Sequence, residues 1–437
     1  MKRCFFLLLL LAILPLPVQA ESMDLHPGES LQKVLDHAPP YAEINLHPGL
    51  YNGSVSIHHP VTLKGKKGAV IVGNKSGHVL SIYSNDVIVQ GIEIKNSGLA
   101  SRDAAILVDS ARNVKLYQNI LKENHTGIFI KGGGRHSIQH NSIHGRDEHF
   151  SKRGNGIYLL ATDQNNISNN RLTNVQDGIY VDESNSNQFL KNQVANSRYA
   201  MHFMYSKTNE AGYNTFRSNI NGFMIMESSD LTIHRNKLEK HTNFRGYGAL
   251  IYNSQDIDFD QNEITYNRTG LSLQKTENVT VTSNQFNGNT VAFQADKQTT
   301  DVSLSNNEFA GNIVQTQVER DRFRLDSGRT GNHWDDYRSY DVTGDGIGDV
   351  PYQSSSGFSE LINKQPPMQF FFESPAMVLW QSVEKMFPIS SGASGIDQFP
   401  IAQERQTSHP LIFSPILLII TILFFRWVRK ARLSKNL

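Results

Sequence analysis

A short unit recurs through the middle of the chain: an apolar residue, two polar residues and then an asparagine, most often 22 residues apart. In most units a second segment follows, in which Gly or Ala precedes alternating apolar residues. A period of this length is typical of solenoids, and the unit is too short for two helices. Short strands joined by Asn turns therefore predict an all-β fold, a right-handed parallel β-helix of stacked coils. The recurring asparagines are Asn119, Asn141, Asn170, Asn192, Asn219, Asn236, Asn262, Asn284 and Asn307.

The predicted β-helix occupies residues 21–325 and includes an N-terminal cap, a short amphipathic helix over residues 30–37. A leucine-rich horseshoe is the structural alternative, but the leucine-dense consensus of that fold is missing from this sequence. The segments that follow are an Asp/Gly-rich cap segment at 326–372, an amphipathic docking helix at 373–388 and a Ser/Gly/Gln-rich linker at 389–408.

The N-terminal segment has the pattern of a secretory signal peptide. Over residues 1–20, Lys2 and Arg3 precede an apolar run, and small residues up to Ala20 form a cleavage site. Cleavage there would remove Cys4, the one cysteine of the sequence. A soft-metal site in the mature protein must therefore use Met and His.

A second apolar run near the C-terminus, at residues 410–428, predicts a transmembrane anchor. The basic tail at 429–437 would be cytoplasmic by the positive-inside rule, which places the body of the chain in the periplasm. A hydrophobic helix buried in protein is the alternative. The formal net charge of +1 gives no indication of a polyanionic partner, so nucleic acid is not expected.

Two methionine-rich segments 22 residues apart are candidates for a metal site. Stacking the coils in register places Met224 beside His202 and Met226 beside Met204. These residues alternate with inward-facing ones such as Met201, which we assign to the core. Thioethers and an imidazole favour Cu(I) over Zn²⁺ and Cu²⁺. The predicted copper ligands are His202, Met204, Met224 and Met226, with Asp182 and Tyr252 at the margin of the site.

The same strand face has a second interpretation, as an apolar patch that binds a partner protein. Tyr180, Leu250 and Tyr252 flank the candidate ligands, and exposed apolar patches often mark binding surfaces. Methionine is also a common and adaptable contact residue. Both interpretations stay open at this point. They are compatible, because a copper donor must dock where the metal enters.

An acidic, glycine-rich segment follows the predicted coils. It lacks the bidentate Glu that position 12 of a calcium loop requires, because Tyr352 stands there. The alternative is an Asp/Gly turn that closes the solenoid, with Trp334 and Tyr337 over the core. We favour this cap over bound Ca²⁺. The matches to positions 1, 3, 5, 6 and 9 of a calcium loop are Asp341, Thr343, Asp345, Gly346 and Asp349.

Five features occur together. They are the signal peptide, the Asn-laddered β-helix, the Met-His-Phe-Met-Tyr-Ser segment from Met201, and two motifs near the end of the β-helix. The two motifs are Gly-Asn-His-Trp-Asp-Asp-Tyr from Gly331 and Gly-Asp-Gly-Ile-Gly-Asp-Val-Pro-Tyr from Gly344. This combination resembles the NosD family, the periplasmic maturation proteins of nitrous oxide reductase. The resemblance covers nearly the whole mature chain.

The resemblance implies a place in denitrification and a set of partners. It implies docking onto an ABC transporter that has a membrane subunit and an ATPase subunit. It also implies receipt of copper from a lipoprotein chaperone and assembly of the copper–sulfur centre of nitrous oxide reductase. ATP would be bound by the partner, because this sequence has no P-loop pattern. We therefore expect a metallocofactor assembly protein that is not itself an enzyme.

A β-helix polysaccharide lyase or hydrolase, or a carbohydrate-binding surface protein, is the alternative function. Such lyases need a basic residue and calcium-holding acids on one exposed strand face. Here that face offers Asp182 but is mostly apolar, and it has no paired carboxylates for hydrolysis. In a structural adhesin, a third class, the methionines would be incidental.

Overall fold

Three long parallel sheets run along one axis in the computed structural model, which describes residues 21–339, 341–354, 379 and 395–402. Each coil contributes one strand to each sheet, and neighbouring strands pair in parallel about one coil apart in sequence. The chain is thus a parallel β-helix, and the all-β solenoid predicted from the asparagine repeat is confirmed.

The strands of the described residues are numbered β1–β41 in chain order, and most of them belong to the three long sheets. Sheet I holds β1 (Ser22–Leu25), β2 (Glu43–Leu46), β5 (Thr62–Gly65), β8 (Ile88–Gln90), β11 (Lys115–Tyr117), β14 (Ser137–Gln139), β17 (Asn166–Ser168), β20 (Gln188–Leu190), β23 (Lys207–Gly212), β26 (Ser229–His234), β29 (Gln255–Asp260), β32 (Glu277–Thr282) and β35 (Val302–Ser305). Sheet II holds β4 (Val55–Ile57), β7 (Leu80–Ile82), β10 (Ala104–Asp109), β13 (Thr126–Lys131), β16 (Ile157–Leu160), β19 (Asp177–Asp182), β22 (Tyr199–Met204), β25 (Asn221–Met226), β28 (Tyr247–Tyr252), β31 (Thr269–Gln274), β34 (Val291–Ala295) and β37 (Val314–Val318).

The third long sheet and a small terminal sheet complete the strands of the described residues. Sheet III holds β3 (Gly49–Asn52), β6 (Ala69–Val72), β9 (Glu93–Lys95), β12 (Ile120–Lys122), β15 (Ser142–His144), β18 (Arg171–Thr173), β21 (Gln193–Ala195), β24 (Thr215–Arg217), β27 (Lys237–Glu239), β30 (Glu263–Thr265), β33 (Gln285–Asn287), β36 (Glu308–Ala310) and β39 (His333–Trp334). The terminal sheet holds β38 (Phe323–Arg324), β40 (Tyr352–Gln353) and β41 (Gly395–Asp397).

Buried asparagines at the turn between sheets I and III join successive coils. Oδ1 of Asn192 accepts hydrogen bonds from the backbone N (3.1 Å) and Nδ2 (3.0 Å) of Asn170, one coil earlier. Nδ2 of Asn192 donates to the carbonyl of Ile167 at 2.8 Å. The side chain therefore satisfies backbone groups that the turn buries without strand partners. The ladder consists of Asn119, Asn141, Asn170, Asn192, Asn214, Asn236, Asn262, Asn284, Asn307 and Asn332.

A second ladder lies at the turn between sheets III and II, and it contains Asn219. The sequence assigns Asn219 to the first ladder, where the structure places Asn214. The assignment was wrong because asparagines recur at more than one turn of the coil, so the spacing alone did not distinguish the ladders. In the second ladder His241 takes the place of an asparagine: its Nδ1 accepts from the backbone N of Asn219 at 3.2 Å.

Apolar columns fill the interior of the coils, and a helix covers their first end. Met201 aligns with Ile179 and Phe223 in the inward column of sheet II and is fully buried, so its predicted packing role is confirmed. Helix α1 (Leu31–His37) begins after Ser30, whose side chain accepts from the backbone N of Lys33. The helix buries its apolar side chains on the first coils, as the predicted N-terminal cap requires.

The other end of the solenoid is closed by residues that follow the last coils. Trp334 stacks between Phe309 (4.2 Å between ring centroids) and Tyr352 (4.3 Å). Asp397 of β41 is buried and accepts hydrogen bonds from the backbone N of Asn332 (2.8 Å) and from Nε1 of Trp334 (3.0 Å). Residues 395–402 thus pack as part of this cap, whereas the sequence assigns them to the linker. Asp397 accepts from the backbone N of Asn332, as the amide oxygen of a further ladder asparagine would.

The Asp/Gly-rich loop holds its own carboxylates. Asp341 accepts hydrogen bonds from the backbone N of Gly344 (2.5 Å) and of Gly346 (2.9 Å). Tyr352, at position 12 of the calcium pattern, is buried against Trp334 instead of facing the loop. Across the described residues, no group of three or more His, Cys, Asp or Glu side chains could hold a metal ion. These contacts favour the capping interpretation over calcium.

Several predicted segments lie outside the described residues: the signal peptide at 1–20, the anchor at 410–428 and the tail at 429–437. The docking helix predicted at 373–388 lies outside them as well, except for Leu379. Among the residues that the structure describes, no helix combines the length and the apolar character needed to cross a membrane.

Candidate metal centre

The outward face of sheet II brings the predicted ligands together. In the pairing of β22 with β25, His202 is the register partner of Met224, and Met204 is the register partner of Met226. Residues at alternate positions of a strand share a face, and paired strands lie about 4.8 Å apart. The four side chains therefore form two adjacent pairs on one surface. Their predicted adjacency is confirmed, and their role as ligands stays a prediction.

His202 is buried at the surface of the sheet, with one ring nitrogen engaged and the other not. Nδ1 lies 3.0 Å from Oδ2 of Asp177. Nε2 is buried and has no hydrogen-bond partner among the described residues. An imidazole with one nitrogen bonded to a carboxylate and the other lacking a partner has the arrangement of a metal ligand. This orphaned nitrogen is the observation on which the fit to a metal rests.

Asp177 is held by an ion pair with Arg198. The guanidinium donates through Nε to Oδ1 (2.8 Å) and through Nη2 to Oδ2 (2.7 Å), a bidentate contact. Burial alone would raise the pKa of Asp177, but hydrogen bonds from His202 and Arg198 outweigh burial and lower it. Arg198 also lies over the ring of Tyr199, with 4.4 Å between its Cζ and the ring centroid.

A stack of aromatic rings runs along the same face and ends at His202. The ring centroids are 4.9 Å apart from Phe129 to Tyr158, 4.8 Å from Tyr158 to Tyr180 and 4.6 Å from Tyr180 to His202. Tyr199 contacts the imidazole edge-on at 5.3 Å. One ring stacked on the imidazole and another against its edge restrict rotation of the His202 side chain.

The methionines of the site are partly exposed and have weak polar neighbours. The sulfur of Met204 accepts a hydrogen bond from the hydroxyl of Tyr180 at 3.4 Å, and Nδ2 of Asn221 lies 3.9 Å from the sulfur of Met224. Met226 is the register partner of Tyr252 on the next strand. Because a thioether sulfur accepts hydrogen bonds only weakly, these contacts leave the sulfurs available to a soft metal.

The two residues predicted at the margin of the site are held by other side chains. Oδ2 of Asp182 accepts hydrogen bonds from the hydroxyls of Tyr158 (3.1 Å) and Tyr180 (3.2 Å). Burial and the nearby charge of Asp182 raise the pKa of Tyr158 to about 12, and they raise the pKa of Tyr180 further. The hydroxyl of Tyr252 accepts from Nζ of Lys275 at 3.3 Å.

The sequence analysis missed Asp177, Arg198 and Tyr199, which are the residues that hold His202. The strand register could have revealed two of these residues, because Asp177 and Tyr199 are partners in the pairing of β19 with β22. These residues occupy the first position of their strands, before the Gly or Ala at which the alternating pattern was taken to begin. The relevant carboxylate was therefore outside the aligned segments.

Two longer loops flank the Met/His strands at the turn between sheets III and II. One precedes β16 and contains a 3₁₀ helix, Phe150–Lys152; the other precedes β28 and carries Phe244, which is 78% exposed. Since β16 and β28 are four strands apart in sheet II, the loops begin about 19 Å apart along the axis. These two loops thus lie on either side of the candidate site.

A family model described as "Periplasmic copper-binding protein (NosD)" matches residues 139–339, a range that contains all four predicted ligands. The chain is 28% identical over 414 residues to the "Probable ABC transporter binding protein NosD" of Stutzerimonas stutzeri, covering 86% of this chain and 88% of that protein. A protein of the same description from Pseudomonas aeruginosa is 28% identical over 402 residues, covering 82% and 87%. The resemblance to the NosD family is confirmed.

Solved structures share the fold of this chain at low sequence identity. The A-module of the mannuronan C-5 epimerase AlgE6 from Azotobacter vinelandii superposes with a TM-score of 0.55 at 15% identity, covering 66% of this chain and 90% of that module. A catalytic domain of a GH87 alpha-1,3-glucanase in complex with tetrasaccharides gives a TM-score of 0.51 at 12% identity, covering 69% and 66%. These likenesses show a β-helix fold and no more than that.

Proposed function

We propose that this chain is a periplasmic copper-binding accessory protein, not an enzyme, that works with an ABC transporter. Copper is its cargo, held as Cu(I) by His202, Met204, Met224 and Met226. The protein delivers or inserts that copper during maturation of nitrous oxide reductase. The observation that carries the proposal is the orphaned Nε2 of His202 beside a methionine on the outward face of sheet II.

The donor set supports Cu(I) in particular. Three thioethers and one neutral imidazole bring no net charge, and soft thioether ligands select Cu(I) over harder cations. The methionines are partly exposed, so copper can be received from and passed to another protein at this surface. Partial exposure suits a carrier better than a storage site.

The partners follow from the resemblance and from the descriptions of the relatives. They are the membrane and ATPase subunits of an ABC transporter, a copper chaperone lipoprotein and nitrous oxide reductase. The two relatives described as probable ABC transporter binding proteins support the transporter link. A membrane anchor at residues 410–428 would hold the protein at the inner membrane.

The enzymatic alternative has weaker support in the geometry. A lyase needs a cationic side chain to bind the uronate carboxylate of its substrate. The guanidinium of Arg198 is already engaged by both oxygens of Asp177. The carboxylate of Asp182, on the outward face of sheet II, accepts hydrogen bonds from two tyrosines.

The direct test is an anaerobic Cu(I) titration of the full-length protein against a competing chelator. We expect about one tightly bound Cu(I), which is lost when His202, Met204, Met224 and Met226 are all replaced. Met201→Leu is the matched control, because Met201 lies on the same strand but faces the core. Equal copper binding by the fourfold variant and the wild type would reject the site. Binding by neither would make the face a docking patch.

A further inference from the structure

We propose that Asp177 is a positioning residue for copper: it keeps the proton of His202 on Nδ1 and so presents Nε2 to the metal. This inference rests on the proposed function, because it concerns how one of the four ligands is prepared. Asp177 would not itself bind copper.

The geometry assigns the tautomer of His202. A neutral imidazole has one donor nitrogen and one acceptor nitrogen, and the bond made by one nitrogen fixes the role of the other. A carboxylate oxygen only accepts, so Oδ2 of Asp177, 3.0 Å away, requires the proton on Nδ1. In the neutral imidazole the lone pair is then on Nε2, the nitrogen without a partner among the described residues.

Asp177 is fixed in place by its surroundings. Its side chain is 1% exposed, and both of its oxygens accept from the guanidinium of Arg198. Tyr180 stacks on the imidazole of His202, and Tyr199 contacts its edge. The tautomer, the ring plane and the position of the ring are thus set before copper arrives. Carboxylate partners of this kind change metal affinity by about 10- to 100-fold.

A structural role for Asp177 is the competing explanation. The ion pair with Arg198 could hold the start of β19 and β22 without any effect on His202. A copper titration alone would not separate the two roles, because a loosened strand also binds metal less tightly. The tautomer of His202 separates them, because an ion pair that acts only on folding leaves that tautomer unchanged.

Asp182 offers a matched control within the same strand. Asp182 ends β19, the strand that Asp177 begins, and its carboxylate accepts from Tyr158 and Tyr180 and not from His202. Asp182→Ala removes one carboxylate from the same strand, as Asp177→Ala does. A simple loss of attraction for a cation would therefore affect both variants alike.

The experiment measures Cu(I) binding to the full-length wild type, Asp177→Ala and Asp182→Ala by chelator competition. ¹⁵N spectra of histidine-labelled protein are recorded alongside, with His202 assigned from His202→Gln. We expect Asp177→Ala to weaken binding about 10- to 100-fold at unchanged stoichiometry, and to shift the His202 tautomer toward Nε2–H. We expect Asp182→Ala to remain within about threefold of the wild type.

Three outcomes separate the inference from the function on which it rests. Wild-type affinity in Asp177→Ala, or an unchanged His202 tautomer, would overturn the positioning role and leave the copper site standing. Absence of Cu(I) binding in the wild type would reject the proposed function itself. If Asp177→Ala does not fold because Arg198 loses its partner, Asp177→Ala with Arg198→Gln removes both charges and provides the same measurements.

Discussion

The turn that contains His241 and the outward face that contains His202 lie on adjoining coils, and both histidines have a buried Nε2 without a partner among the described residues. Their surroundings differ. Nδ1 of His241 accepts a backbone hydrogen bond inside an asparagine ladder, whereas Nδ1 of His202 faces a carboxylate. A hypothetical Cβ at Gly222 would lie 2.9 Å from Nε2 of His241, so backbone covers that nitrogen. Nε2 of His202 instead lies on a face with three methionines.

The comparison shows that an orphaned nitrogen alone does not define a site. In the ladder, the imidazole of His241 takes the place of an asparagine amide. Its Nε2 is buried without a partner, which lowers stability. On the face, the second nitrogen adjoins soft donors and is aimed by Asp177. The predictions that follow test the difference between the ladder interior and the Met/His face, from the largest expected effect to the smallest.

Replacing a ladder asparagine should have the largest effect on stability. Asn192→Ala removes the acceptor of the Asn170 backbone N and the donor to the Ile167 carbonyl. Two buried groups without partners cost about 2 kcal/mol each, so the free energy of unfolding should fall by about 4 kcal/mol. Urea unfolding measures this loss. The control Asn52→Ala removes an exposed amide from β3 and should change stability by less than about 0.5 kcal/mol.

The buried histidines at the turns, His136 and His241, should make stability depend on pH. His136 lies at the turn between sheets II and I, where its Nδ1 accepts from the backbone N of Val114 and its own backbone N donates to Asn165. Burial lowers the pKa of His136 and of His241 from 6.5 to about 4. Between pH 6.5 and 4 the unfolded chain therefore binds more protons than the folded chain. The stability that each neutral histidine contributes is fully present above pH 6.5. It falls by up to about 3 kcal/mol per histidine as the pH falls toward 4.

Asparagine is the matched replacement at both positions, because Asn165 follows His136 and Asn267 follows His241 in their ladders. The double variant His136→Asn, His241→Asn should show a flatter dependence of unfolding free energy on pH in this window. An equally steep curve would mean that the two buried histidines are already charged or do not titrate there. Copper binding by the double variant should match the wild type.

Removing the terminal cap should have a smaller and local effect. Asp397→Ala removes the carboxylate that accepts from the backbone N of Asn332 and from Nε1 of Trp334. Because each coil of a solenoid contacts only its neighbours, the last coils can unfold locally, which limits the loss to about 2 kcal/mol and confines faster amide exchange to those coils. Asp397→Asn keeps one acceptor oxygen and should lose less. Faster amide exchange along all coils would contradict a local effect of the cap.

The smallest effect is expected from the tyrosine hydroxyl beside the site. Tyr180→Phe keeps the ring stacked on His202 but removes the hydrogen bonds to the sulfur of Met204 and to Asp182. We expect Cu(I) affinity to change by less than about threefold. Tyr180→Ala, which also removes the stacked ring, should weaken binding more. Equal effects of the two variants would show that the hydroxyl, and not the ring, matters.

The sequence was sufficient for the fold and for part of the site. The period of the repeat predicted the parallel coils, and strand alternation correctly separated inward Met201 from outward His202. Neither the period nor strand alternation distinguished Asn214 from Asn219, because their two turns favour asparagine for the same reason: its side chain satisfies buried backbone groups. Asp177 was not predicted because it precedes Gly178, the residue at which the alternating pattern was taken to begin. Asp397 escaped notice because its partners, Asn332 and Trp334, lie more than 60 residues earlier.

Copper K-edge X-ray absorption of the Cu(I)-loaded protein tests the central claim most directly, because it identifies the atoms bound to the metal. Ligation by His202, Met204, Met224 and Met226 predicts one nitrogen and three sulfur scatterers at copper. It also predicts that His202→Gln removes the nitrogen contribution and that Met224→Leu removes a sulfur. A spectrum with only oxygen or nitrogen neighbours, or one that neither substitution changes, would contradict a copper site on the outward face of sheet II.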